Sequence, residues 1–195
     1  MTTPLQLITP TMDCLPEYAA ALKRGWSPDN VRGEIAAREQ QAKIESDAPA
    51  FVAQLADRSA KGPPIELPDG STTARLPGFQ MWMWDGEFCG SIGFRWQPGT
   101  ATLPPYCLGH IGYAVVPWKQ RRGYATRALE LMLVEAGREG LPYVDVTTTP
   151  DNVASQRVIA ANGGVMIERF EKLSASGGGE GWRYRIALHD ESSAT

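Results

Sequence analysis

Apolar positions along the chain change period several times, and each change marks an element. Leu5 to Ile8 reads as a short strand closed by Thr9-Pro10. Leu15, Tyr18, Ala19 and Leu22 then recur at helical spacing, predicting a helix capped by Asp13, running to about Arg24 and stopped by Gly25. A second helical stretch starts near Pro28 or Asp29, with sparse apolar positions (Val31, Ile35, Ala42, Ile44) among many charges, so it is expected on the surface. Pro49 interrupts it, and Phe51, Val52 and Leu55 resume the helical spacing.

Between 61 and 77 the pattern stops. Pro63, Pro64, Pro68 and Pro77, with Gly62 and Gly70, make a long loop there, a candidate for part of a substrate mouth. From Phe79 the period is that of strands: Phe79 to Trp84, a tight turn at Asp85-Gly86, and a return strand from Glu87 to Trp96. Leu108 to Val116 is a further strand, Tyr124 to about Gly137 a long helix, and Tyr143 to Thr149 a β-branched strand. A helix over Asn152 to Ala161, a strand over Val165 to Phe170, a glycine-rich turn at Ser174 to Gly181 and a last strand over Trp182 to Leu188 complete the order. Strands and helices in this sequence predict a mixed α/β sheet, mostly antiparallel, with helices on both faces. The length of 195 residues fits one domain, divided into an N-terminal strand and helices (1–60), the loop (61–78) and a core (79–188).

Composition narrows the partners. Net charge is −3, without the basic excess of a nucleic-acid binder. Cys14, Cys89 and Cys107 are odd in number and, with only His110 and His189, fit no zinc spacing, so neither a disulfide framework nor a metal site is expected. No leader-like N-terminus and no long apolar span stand out, which points to a cytoplasmic location without a membrane partner.

The chemistry concentrates where the strand ending at Val115-Val116 meets the helix opening at Tyr124. The junction reads Gln120-Arg121-Arg122-Gly123-Tyr124-Ala125-Thr126. A helix N-terminus offers N–H groups without intrahelical partners and the positive end of the helix dipole, both suited to phosphate oxygens. Gly123 leaves room for close approach, Ala125 stays small, Thr126 adds a hydroxyl, and Arg121 and Arg122 add charge. The junction carries neither the P-loop nor the dinucleotide glycine pattern, which disfavours nucleotides.

On these residues the chain resembles the GNAT N-acetyltransferases: Gln120 to Ala125 matches their pyrophosphate signature Q/R-x-x-G-x-G/A. Asn152 to Gly163 resembles their second cofactor helix. Asp69-Gly70, the 79–96 strand pair and Gly109-His-Ile-Gly-Tyr113 further resemble an uncharacterised bacterial subgroup. The resemblance implies a sheet splayed between its central strands, a bulge in the strand before the loop, and acetyl-CoA as co-substrate. It implies that Val115 and Val116 offer backbone groups to pantetheine, that Gln120 to Thr126 hold the pyrophosphate, that Asn152 bonds the pantetheine arm and that Ser155 lies near the thiol.

Acetyl transfer by direct attack needs an amine positioned and a carbonyl polarised, with protons managed at both ends. His110 is a candidate base on the central strand, or else a packed strand histidine. Many GNAT relatives carry a tyrosine seven residues after the asparagine; here it is Ile159, which leaves Ser155, water or another side chain for the leaving thiolate. That substitution also admits a second function, a CoA-binding sensor or accessory protein with weak or lost catalysis. The acceptor is expected to be a primary amine of a small molecule or a peptide N-terminus, read by the N-terminal helices and the 61–78 loop. Trp82, Trp84 and Trp96 are assigned to the core, an acceptor pocket or a homodimer seam.

Overall fold

In the computed structural model, residues 4–67, 70–173 and 177–188 are described. Asp69 and His189, both named above, lie outside the described residues. In chain order the elements are β1 (Gln6–Ile8), α1 (Leu15–Lys23), α2 (Gly33–Gln54), β2 (Ala56–Asp57), β3 (Ile65–Glu66), β4 (Thr72–Thr73), β5 (Gly78–Trp84), β6 (Phe88–Arg95) and β7 (Ile111–Val115). A 3₁₀ turn (Pro117–Lys119) leads to α3 (Tyr124–Arg138), β8 (Tyr143–Thr148), α4 (Val153–Ala161), β9 (Val165–Glu171) and β10 (Glu180–Ala187).

The strands form two main antiparallel sheets. One has the order β1-β5-β6-β7, with β2 added on β5; the other has the order β8-β10-β9. They meet at β7 and β8 without a ladder between them. Their backbone link is His110, whose N–H donates to the Asp145 carbonyl (2.7 Å) while its carbonyl accepts from Arg95 N–H (2.9 Å). The expected splay is therefore present, closed at His110 and open towards Val115.

Each sheet face buries its own set of side chains, as the strand period of two requires. Phe79 and Met83 of β5, with Ile111 of β7, face Ala128, Leu129, Met132 and Ala136 of α3 and Ile159 of α4. Trp82, Phe88, Ala114 and Val116 face Leu15, Tyr18 and Leu22 of α1 and Phe51 of α2. Tyr18 stacks on Trp82 with ring centroids 4.8 Å apart, and Trp26 meets Tyr18 edge-on at 5.5 Å.

Several local expectations change. Asp13 does not cap α1: Cys14 is the N-cap residue and no side-chain cap bond forms. Pro49 breaks α2 as expected, but the break sits at Asp47 (φ −156°), whose Oδ1 accepts from Ala50 N–H and so caps the second half. That half ends at Gln54, where the chain turns into β2 against Phe79 and Gly78. The 61–78 loop carries the small β3–β4 ladder. The register of β6 on β7 runs unbroken from Gly90↔Val115 to Phe94↔Ile111. The irregularity lies one strand over, between Met83 and Trp84, where Cys89 is the extra residue. The strand before the loop is regular, and the gap arises because β8 pairs with β10 instead.

Candidate functional site

Backbone alternation decides what β7 offers the gap. Val116 N–H is spent on Cys89 carbonyl of β6 (2.9 Å), so Val115 and Tyr113 turn their backbone groups the other way. Of the expected valine pair, Val115 faces the gap, and its carbonyl accepts a long bond from Gln120 Nε2 (3.4 Å). Val116 is buried on the α1 side.

At the open end the chain makes a tight approach to α3. Arg121 has φ +61°, and Gly123, the N-cap residue, has φ +78° and ψ 4°. The left-handed backbone at Gly123 favours glycine, and a Cβ there would meet no protein atom within 4 Å. Glycine is thus favoured there by conformation, not by packing. Among the described residues, no protein acceptor is found for the N–H groups of Arg121 through Thr126; the first intrahelical bond runs from Arg127 N–H to Gly123 carbonyl (3.0 Å). Such a run of unpartnered donors at a helix start is suited to an anion. Arg121 and Arg122 are exposed beside it, and Ala125 and Thr126 are half-buried.

The loop is held from behind by a hook that sequence reasoning missed. Lys119, 7% exposed, donates to Asp85 Oδ1 (2.6 Å) and pairs with Glu87 (3.0 Å). Tyr124 Oη donates to Asp85 Oδ2 (2.5 Å). Burial pushes the Asp85 carboxyl up, but hydrogen bonds from Lys119, Tyr124 and Cys89 outweigh it and hold the group at about 2. No spacing signals this contact, because the β5–β6 turn and the loop are far apart in sequence.

Across the gap, Asn152 caps α4 by accepting from Ser155 N–H (3.1 Å) through Oδ1, which leaves its Nδ2 as a donor at an exposed position. Ser155 Oγ lies 2.9 Å from Tyr113 Oη of β7. Ile159 is fully buried in the α3–α4 core.

His110 sits at the closed end. Its side chain has no exposed surface, and Nδ1 accepts from Asp145 N–H (2.9 Å). Burial pushes its pKa down, while Asp145 opposes that. Asp145 is itself paired with Arg185 at 2.8 and 3.0 Å, and Arg185 stacks on Tyr143 (3.6 Å). With Nδ1 occupied, the neutral ring carries its proton on Nε2, so the geometry is that of a pin between two sheets. The structure thus brings together Val115, Gln120 to Thr126, Asn152 and Ser155 around one gap, and sets His110 in its closed base.

Comparison with known proteins follows the same geometry. Residues 40–165 match the family model described as acetyltransferase (GNAT) domain. A search of curated proteins gave no match. Among solved structures, the fold is similar to the microcin C7 self-immunity acetyltransferase MccE in complex with acetyl-CoA and AMP, at TM-score 0.62 and 13% identity, over 94% of this chain and 92% of that one. It is also similar to the Salmonella typhimurium acetyltransferase that modifies the N-terminal serine of ribosomal protein L7/L12 (TM-score 0.62, 14% identity, 97% of this chain and 100% of that one). A ribosomal L7/L12 alpha-N-protein acetyltransferase in complex with coenzyme A gives TM-score 0.61 at 13% identity, over 98% and 100% of the two chains. With the family model covering more than half of its length, the chain belongs to the GNAT acetyltransferases.

Proposed function

We propose that this acetyltransferase takes its acetyl group from acetyl-CoA and transfers it to a primary amine by direct attack on the thioester. The observation that carries the reading is the gap between β7 and β8 with the run of unpartnered N–H groups from Arg121 to Thr126 at its open end. In this reading those donors, with Arg121 and Arg122, hold the pyrophosphate, and Gly123 lets it reach the backbone. Val115 and Asn152 Nδ2 offer a carbonyl and a donor to the pantetheine arm, and Ser155 lies by the sulfur. The arm aligned along β7 places the thioester between the strands, where an amine can approach from the α1–α2 side.

The acceptor is a primary amine of a small molecule or of a peptide N-terminus. Two of the structurally similar proteins act on a ribosomal protein N-terminus, which supports including peptides among the candidates. The rival function, a CoA-binding sensor, draws on buried Ile159 where a tyrosine would otherwise stand. Incubating the protein with acetyl-CoA and a panel of small amines and short peptides, while recording free thiol and acetylated product, separates the two. Turnover with any amine supports the enzyme; tight acetyl-CoA binding without turnover on the whole panel supports the sensor.

A further inference from the structure

We infer that Tyr113 is a positioning residue for acetyl transfer: its hydroxyl orients Ser155 so that the serine proton points at the leaving sulfur. The inference rests on the acetyl-CoA reading above. Tyr113 stands on β7 with its ring packed against the α3–α4 core, and its hydroxyl crosses to the first turn of α4. It lies 2.9 Å from Ser155 Oγ and 3.5 Å from the Ser155 carbonyl oxygen. Both neighbours of the phenol belong to one residue. The contact bridges the strand on one side of the gap and the helix that follows the strand on the other.

The direction of the bond follows from the relative acidity of its two hydroxyls. Either oxygen of the 2.9 Å pair can donate; we assign the phenol as donor because it is the more acidic hydroxyl, with Oγ as its acceptor in place of the Ser155 carbonyl at 3.5 Å. Burial pushes the Tyr113 hydroxyl up to about 12, so it remains a donor throughout the neutral range. With its oxygen occupied by that donor, Ser155 keeps its own proton to give elsewhere. Ser155 is half-buried, and its N–H is tied to Asn152 Oδ1, so the turn that carries it is fixed. Ile159, one turn further along α4, is buried and has no proton to offer.

In the step this serves, the amine nitrogen forms a bond to the acetyl carbon, and the carbon–sulfur bond breaks with its electron pair on sulfur. Ser155 O–H hydrogen-bonds that sulfur as its charge grows. The surplus proton on nitrogen leaves to water, and the thiolate takes a proton from water. Neither Ser155 nor Tyr113 gives up its proton, so the pair needs no resetting.

Tyr113→Phe keeps the ring and removes only the hydroxyl. Thiol release from acetyl-CoA, to the best amine of the panel or to water, is expected to fall about 10-fold or more in kcat, the scale of losing one aligned donor. Calorimetric affinity for acetyl-CoA should stay within about twofold, because binding groups are untouched. Ser155→Ala should lose at least as much, and the double variant no more than Ser155→Ala alone, because the tyrosine acts through that oxygen. A ring that only fills space would leave kcat of Tyr113→Phe at the wild-type value, and that result overturns the inference. Multiplying losses in the double variant overturn it too, as does a wild type that binds acetyl-CoA yet releases no thiol. A wild type that fails to bind acetyl-CoA overturns the functional reading itself.

Discussion

At the scale of single residues, Gly123 and His110 show how conformation separates binding from folding. A Cβ at Gly123 would meet no protein atom within 4 Å, so its main cost to the fold is the left-handed backbone (φ +78°), about 1–2 kcal/mol. Gly123→Glu is therefore expected to fold, with a modestly lower Tm, and to lose acetyl-CoA binding, since the new carboxylate occupies the approach to the Arg121–Thr126 amides. Wild-type affinity by calorimetry would show that the loop does not hold the pyrophosphate. His110 makes a different prediction. Its folded pKa is lowered by burial, with the Asp145 charge raising and the Arg185 charge lowering it more weakly. The native state then binds fewer protons than the unfolded chain, so stability is full above the ordinary value of about 6.5 and is lost as pH falls below it. The slope can reach about 1.4 kcal/mol per pH unit. Urea titrations at pH 7 and pH 5.5 should show it in the wild type, and His110→Gln should flatten it.

Between elements, the decisive contact is the hook from the β5–β6 turn to the base of α3. Lys119 and Tyr124, which flank the loop, both donate to Asp85, and the pair is nearly dry, with side chains 9% and 11% exposed for Lys119 and Asp85. Removing one partner of such a pair costs about 3–5 kcal/mol, and exposed Glu87 offsets part of it here. Asp85→Asn is expected to lower Tm and to weaken acetyl-CoA at least about 10-fold; equal affinity at unchanged loop order by amide exchange would remove the hook from the binding argument. This is also where the sequence was least informative. The geometry of the loop was legible because Gly123 and the strand-to-helix junction lie within a few residues, a local pattern. Asn152 and Ser155 were named through the family resemblance, and the structure joins them as N-cap and N–H partner three positions apart. Asp85 and Tyr113 were not, because their partners lie 34 and 42 positions away and only tertiary pairing joins them. The β2 strand was missed for a similar reason: Ala56 and Asp57 have no strand pattern of their own, and the exposed edge of β5 recruits them. Asp13 has the propensity of a cap but does not cap α1, because Pro16 at the helix start and the Leu15 N–H bond to Thr11 carbonyl set that end.

Over the whole molecule, the two ends of the gap have different surroundings, and this bears on where an acceptor would be read. The 61–78 loop joins the sheet where Gly78 pairs with Arg95, and Arg95 N–H bonds His110 carbonyl, so the loop lies at the closed end. Trp26, 4% exposed among Tyr18 and Phe88, belongs to the aromatic core, and Trp26→Ala should cost about 3–5 kcal/mol of stability without reporting on the acceptor. The open end has other neighbours. Arg24, just past α1, stacks over Trp118 of the 3₁₀ turn at 3.6 Å. A Cβ on Gly177, in the connection from β9 to β10, would come within 3.3 Å of Val31 Cγ1, so that connection touches the segment between α1 and α2. Lys172 and Gly178 share a shallow cavity with Thr149 and Asp151, just before α4. Under the proposed function these pieces are candidates for the rim that an amine passes. Val31 is 57% exposed, so changing it costs the core nothing. Val31→Asp and Lys172→Glu are accordingly expected to change acceptor KM several-fold and to reorder preference between cationic and neutral amines. Acetyl-CoA affinity should hold within about twofold, because neither residue approaches the Arg121–Thr126 amides. Paired kinetics, varying each substrate in turn, tests this: parallel loss in both constants would mean that the rim supports the fold, and unchanged acceptor constants in both variants would place acceptor recognition elsewhere.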